Sequence, residues 1–78
     1  MKNITLTINE QLGMRIRYLR KNKGLSIEDL ALDADINKNY LSDLERGRRN
    51  PTLLVLEAIA NSLEIDLSEL FKGIKTID

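Results

Sequence analysis

The 78-residue sequence contains no cysteine and no histidine. Their absence excludes disulfides, thiolate nucleophiles, imidazole acid–base catalysis and Cys/His zinc sites. No apolar run approaches the ~18–20 residues that a membrane-spanning helix needs. A chain of this length can bury one small core, so we predict a single domain over residues 1–78. These absences favour a small cytoplasmic protein that is not an enzyme.

The chain also lacks an excess of either charge, with 12 basic and 12 acidic residues. The charges are nevertheless banded along the sequence. Residues 10–25 carry five basic residues and one acid, and residues 36–52 carry four basic residues and two acids, whereas residues 26–35 and 53–70 each carry four acids and no base. A nearby polyanion responds to the local field rather than to the net charge. A folded chain with one positive face is therefore compatible with a nucleic-acid partner.

Apolar residues recur at helical spacing and predict an all-α fold of five helices. The predicted helices begin at good N-cap residues, which are Thr7, Ser26, Asn37, Thr52 after Pro51, and Asp66. Three glycines mark helix ends, namely Gly24, Gly47 and Gly73. Thr7 with Glu10, and Asp66 with Glu69, have the spacing of a capping box.

The predicted core faces share the helical period of three and four residues. They comprise Ile8, Leu12, Ile16, Leu19, Leu30, Ala31, Ala34, Leu41, Leu44, Leu53, Leu56, Ile59, Ala60 and Leu63. Gly13 lies inside the first helix, where it costs up to ~1 kcal/mol relative to alanine. We interpret it as the site of a close approach by another helix. The alternating Ile4 and Leu6 are either a frayed terminus or an arm that packs on a partner chain.

The second and third helices are predicted over residues 27–34 and 38–46, with about three residues between them. So short a connection forces a sharp crossing, which is typical of a helix-turn-helix motif over residues 27–46. Ile36 fills the turn. On the third helix, Leu41 and Leu44 face the core.

Residues 12–71 resemble the Cro-type, or Xre-like, phage-repressor helix-turn-helix family. The resemblance is carried by I-R-Y-L-R-K-N-K-G at 16–24, D-L-A at 29–31, Y-L-S-D-L-E-R-G at 40–47, R-N-P-T at 49–52 and L-S-E-L-F at 67–71. It implies a five-helix, lambda-repressor-like domain that binds double-stranded DNA sequence-specifically and regulates transcription. Residues 39–50 also resemble the controller proteins of restriction–modification operons. Ile27 stands where the family usually has glutamine, and Asp35 where it favours glycine.

The exposed side of the third helix carries the candidate base-reading residues Lys38, Asn39, Ser42, Asp43 and Arg46. A recognition helix presents such a face to the major groove, with its N-terminal residues nearest the bases. Lys38 can donate to guanine, and Asn39 can pair with adenine through two hydrogen bonds. Asp43 either accepts from cytosine or orients a neighbouring base-reading side chain.

Other residues are candidates for contacts with the DNA backbone, which position a protein without reading sequence. They are Tyr40, Arg49, Asn50, Thr52 and Ile27, the last through the backbone N–H groups at its helix start. The family resemblance further implies that Arg20 and Glu45 form a structural pair that sets the angle of the recognition helix.

A homodimer on a pseudo-palindromic operator is expected because one recognition helix covers only a few base pairs. Apolar residues that the core does not obviously need form the candidate interface, namely Leu54, Val55, Leu67, Phe71, Ile74 and Ile77. No cofactor, metal or small-molecule ligand is indicated, and RNA polymerase is a candidate further partner. The alternative function is an antitoxin-like protein-interaction module on the same fold.

Overall fold

The computed structural model describes residues 6–76, so the predictions for Ile4 and Ile77 lie outside the described residues. The described chain forms five helices, which are α1 (Ile8–Asn22), α2 (Ile27–Ala34), α3 (Lys38–Glu45), α4 (Leu53–Ser62) and α5 (Leu67–Leu70). The predicted all-α class is confirmed. No helix in residues 6–76 is both long and apolar enough to cross a membrane.

All five helices begin at the predicted N-caps, and at four of them the cap side chain accepts a hydrogen bond from the backbone of the first turn. Thr7 and Ser26 form complete capping boxes with Glu10 and Asp29. The N–H of Ser26 donates to the carboxylate of Asp29, and the hydroxyl of Ser26 accepts from the N–H of Asp29. Hydrogen bonding by the Ser26 backbone, and then by its side chain, lowers the pKa of Asp29. Asn37 and Thr52 cap α3 and α4.

The capping box predicted at the start of α5 is wrong. Asp66 occupies the N-cap position, but its side chain makes no capping hydrogen bond. The carboxylate of Glu69 instead accepts from Nη2 of Arg15 on α1 at 2.8 Å. Nη2 and Nε of Arg15 also donate to the backbone C=O of Glu69, at 2.9 and 3.3 Å. The Glu69 carboxylate therefore binds a residue of another helix, and not the start of α5 as the local pattern predicted.

The core is built from all five helices. Its buried apolar residues are Leu12, Ile16, Leu30, Ala31, Leu41, Leu44, Leu56, Ile59, Ala60, Leu63 and Leu70. Two predicted core residues lie outside it, since Ile8 and Leu53 stand at the first positions of α1 and α4 and are 52% and 66% exposed. Each lies at the end of its apolar stripe, where its helix begins.

Three of the residues assigned to a dimer interface also pack against this core. Val55, Leu67 and Ile74 are partly buried and pack against it. The expectation that the core does not need them is wrong, because α4, α5 and the segment after α5 close the core on one side. Leu54 and Phe71 remain exposed.

Helices α1 and α3 come into close contact at Gly13, as predicted. A Cβ atom on Gly13 would lie 2.5 Å from the backbone oxygens of both Leu44 and Glu45. Backbone atoms cannot swing aside as a flexible side chain can. The absence of a side chain at residue 13 therefore sets how closely α3 approaches α1.

We expect Gly13→Ala to lower the free energy of unfolding by ~1–3 kcal/mol, because the new methyl group overpacks the contact between α1 and α3. This loss exceeds the ~1 kcal/mol that alanine gains over glycine in a helix. Urea denaturation followed by circular dichroism measures the change. Arg17→Ala, at an exposed position of the same helix, is the control and should be close to wild type. A more stable Gly13→Ala variant would contradict the close approach.

Candidate nucleic-acid interface

The turn between α2 and α3 consists of three residues, Asp35 to Asn37. Asp35 adopts the left-handed conformation, with φ 56° and ψ 47°. Aspartate tolerates this region better than most residues other than glycine. The N–H of Ile36 donates to the C=O of Ala31 at 2.9 Å, which closes the end of α2. The turn thus has the geometry that the motif requires, without the glycine that the family favours there.

Asn37 fixes the start of α3. Its Oδ1 accepts from the backbone N–H groups of Asn39 at 2.8 Å and Tyr40 at 3.1 Å. The capped first turn carries Lys38 and Asn39, and both side chains are exposed. The end of α3 that a recognition helix directs at base edges is therefore ordered by its own cap.

The five predicted base-reading residues do not share one environment. Lys38, Asn39 and Arg46 are exposed, whereas Ser42 and Asp43 are half-buried. All five lie away from the buried face of α3, which consists of Leu41, Leu44 and Glu45. Nζ of Lys38 lies 3.7 Å from Oε2 of Glu28 on α2, an exposed ion pair that sequence spacing did not indicate.

The loop after α3 turns back toward the helix at Gly47, which has φ +78°. A Cβ atom there would lie 2.6–3.0 Å from atoms of Glu10, so the loop also passes close to the start of α1. Beyond the glycine, Nη2 of Arg49 lies 3.3 Å from Oδ2 of Asp43. The Arg49 guanidinium carbon also lies 5.3 Å from the centre of the Tyr40 ring.

The remaining residues predicted to contact the DNA backbone lie near the starts of three helices. They are Asn50, Thr52 and Ile27. Oδ1 of Asn50 accepts from Nδ2 of Asn9 at 2.6 Å, a link across 41 residues of sequence that no local pattern could reveal. The hydroxyl of Thr52 accepts from the N–H of Val55 at 3.1 Å. Ile27 is half-buried against the core at the first position of α2.

Arg20 of α1 and Glu45 of α3 form a buried ion pair. Nε and Nη2 of Arg20 donate to the two carboxylate oxygens of Glu45 at 2.7 and 3.0 Å. Nη1 of Arg20 donates to the C=O of Leu25 at 2.8 Å. The hydrogen bond to Glu45 raises the pKa of Arg20 and outweighs the lowering by burial. This two-point contact fixes the orientation of α3 relative to α1.

The model of the helix-turn-helix family matches residues 16–70, which include α2, the turn and α3. The chain belongs to the helix-turn-helix family. The match runs from the middle of α1 to the end of α5 and agrees with the resemblance seen in the sequence.

Several relatives of this helix-turn-helix protein are regulators by name. The HTH-type transcriptional regulator DdrOP3 of Deinococcus deserti is 44% identical over 65 residues, which are 83% of this chain and 50% of that protein. Control protein C.MunI of a Mycoplasma species is 42% identical over 69 residues, 87% of this chain and 93% of that one. The chain thus spans half of the Deinococcus relative and nearly all of the control protein.

Solved structures give the same result for the fold. The restriction-modification controller protein C.AhdI from Aeromonas hydrophila superposes on this helix-turn-helix protein with a TM-score of 0.80 and 40% sequence identity. The match covers 81% of this chain and 96% of that one. The similarity therefore extends over nearly the whole length of a small controller protein.

We expect Arg20→Ala to lower the free energy of unfolding by ~3–5 kcal/mol, because it leaves the Glu45 carboxylate buried without its partner. Replacing both residues with methionine should cost less than Arg20→Ala alone, since no buried charge then remains. Urea denaturation measures both. Lys23→Gln, which removes one partner of the exposed Lys23–Glu64 pair, is the control and should change the midpoint little. An Arg20→Ala variant as stable as this control would refute the role of the pair.

Proposed function

We propose that this protein binds double-stranded DNA sequence-specifically and regulates transcription. The observation that carries the proposal is the position of α3. Its exposed polar first turn is held by the Asn37 cap, and its last turn is held by the contact with Gly13 and by the buried Arg20–Glu45 ion pair. A recognition helix must be placed rigidly because its hydrogen bonds to bases are directional. Family membership and the names of the similar regulators and control proteins support the same function.

The candidate DNA-contact residues divide into two roles in this proposal. Lys38 and Asn39, in the first turn of α3, read base edges, with Ser42 and Arg46 further along the same side. Asn50, Thr52 and the backbone N–H groups of Ile27 and its neighbour contact phosphates. Helix starts suit this second role because their N–H groups point outward and the helix dipole favours an anion.

The active form is proposed to be a homodimer on a pseudo-palindromic operator. Two recognition helices double the contacts and fix half-sites about one helical turn apart. Leu54 is 76% exposed on α4, and Phe71 is 38% exposed just after α5. Because both are exposed, these two side chains remain the candidate interface. A controller role in a restriction–modification operon is the more specific proposal, with RNA polymerase as a further partner in the cytoplasm.

A protein-interaction module is the alternative, and it would need an apolar surface at α3. Among the described residues, the large exposed apolar side chains lie on α1, α2 and α4 and just after α5, and none lies on α3. The α3 side instead carries basic and amide groups. This distribution favours DNA over a protein partner at that surface.

We expect Lys38→Ala and Asn39→Ala each to lose ~1–3 kcal/mol of binding free energy to an operator that the wild-type chain selects from a randomised duplex library. Each should also relax the preference at particular base pairs. Fluorescence anisotropy with the operator and with random duplex measures the loss. Affinity for the operator should also fall ~10³–10⁵-fold between 50 and 200 mM salt, if a dimer neutralises ~6–10 phosphates.

Arg17→Ala is the control for charge, because it removes one positive charge from the exposed side of α1. It should weaken operator and random duplex by similar factors. Equal effects of Lys38→Ala on both duplexes would contradict a base contact, and binding that ignores salt would contradict the proposed function.

We expect the wild-type chain to sediment as a dimer at micromolar concentration and the Leu54→Lys/Phe71→Lys variant as a monomer, because charge at a self-paired apolar patch is repulsive across the two-fold axis. Analytical ultracentrifugation distinguishes the two states. Leu32→Lys, at an exposed apolar residue of α2, is the matched control and should remain dimeric. A wild-type monomer, both free and on DNA, would refute the interface.

A further inference from the structure

The Arg49 side chain lies beside two side chains of α3, those of Tyr40 and Asp43. Tyr40 and Asp43 lie three residues apart on the helix, so their side chains are neighbours. Nη2 of Arg49 lies 3.3 Å from Oδ2 of Asp43, and its guanidinium carbon lies 5.3 Å from the Tyr40 ring centre. The N–H of Arg48 donates to the C=O of Asp43 at 2.9 Å and closes the turn that returns Arg49 to the helix.

These contacts restrict Arg49 before any partner binds. An arginine side chain has many rotamers, and ordering it opposes binding. Here one oxygen of the Asp43 carboxylate accepts a hydrogen bond from Nη2 of Arg49, and the Tyr40 ring lies beside the guanidinium. The Arg49 side chain is still 49% exposed, so its other donors can reach a ligand.

The charge beside Arg49 favours a neutral acceptor over a phosphate. A phosphate at this guanidinium would bring its negative charge close to the Asp43 carboxylate, and like charges repel. Guanine offers two uncharged acceptors, O6 and N7, spaced to match two donors of one guanidinium. The sequence placed Arg49 among the backbone contacts, but its position against α3 favours a base edge.

We propose that Arg49 reads a guanine in the major groove and that Asp43 is the positioning residue that holds its guanidinium for this contact. The proposal rests on the DNA-binding function proposed above. Asp43 accepts from Arg49 and reads no base itself. The two residues therefore determine specificity at one and the same base pair.

The test uses the full chain and a duplex that the wild-type chain selects from a randomised library. Anisotropy is measured for each single-base-pair variant of that duplex. Arg49→Lys keeps the charge but loses the planar pair of donors, so the preference for guanine at one base pair should fall about tenfold. Affinity for random duplex should stay within about twofold, because the charge is kept.

Asp43→Asn should reduce the preference at that same base pair about three- to tenfold and add no further loss to Arg49→Lys, because the two residues act as one unit. Arg48→Lys, an equivalent change at the neighbouring exposed arginine, is the matched control and should alter no base preference. A midpoint of thermal unfolding close to that of the wild type establishes that each variant is folded.

Three outcomes would contradict this proposal or the proposed function. An unchanged base preference in Arg49→Lys would make Arg49 a phosphate contact and overturn the proposal. A loss in Asp43→Asn at a different base pair, persisting beside Arg49→Lys, would make Asp43 a base reader and overturn it too. A wild-type chain that selects no sequence would refute the proposed DNA-binding function instead.

Discussion

The placement of α3 depends on the buried ion pair between Arg20 and Glu45. A buried pair of this kind contributes little net stability, because the desolvation of both charges offsets their attraction. Its two parallel hydrogen bonds are directional, however, and they tolerate little rotation of one helix against the other. The glycine contact at residue 13 sets the distance between the same two helices, while the ion pair sets the orientation. Together they hold a short, eight-residue helix that could not be stable alone.

Local signals made most of the fold predictable. Caps depend on residues two to four positions apart, so the five helix starts could be inferred from the sequence. The predictions failed where a distant residue competed for the same side chain. Glu69 binds Arg15 across 54 residues of sequence, and this contact replaces the capping box that its spacing favoured. Val55 looked superfluous for a similar reason, because the apolar stripe of one helix does not reveal which neighbours close over its edge.

The candidate interface was predictable in outline but not in its contacts. Helical spacing was enough to separate Lys38 and Asn39 from the buried side of α3. It could not show that Asn9 binds Asn50, or that Glu28 lies beside Lys38, because these partners come from other helices. The links join the start of α1 and the start of α2 to the surface that α3 presents. That surface is therefore a tertiary assembly rather than the face of a single helix.

The ion pairs on this surface affect specific and non-specific DNA binding differently, which matters for a chain of zero net charge. Lys38 and Arg49 each lie within 4 Å of a carboxylate, so their long-range attraction for a polyanion is weaker than a count of basic residues implies. Non-specific affinity comes almost entirely from that attraction, whereas base recognition depends on the direction of short hydrogen bonds. A neighbouring carboxylate thus weakens non-specific affinity more than it weakens base recognition. By this reasoning the acids beside α3 improve the ratio of specific to non-specific binding, at the expense of total affinity.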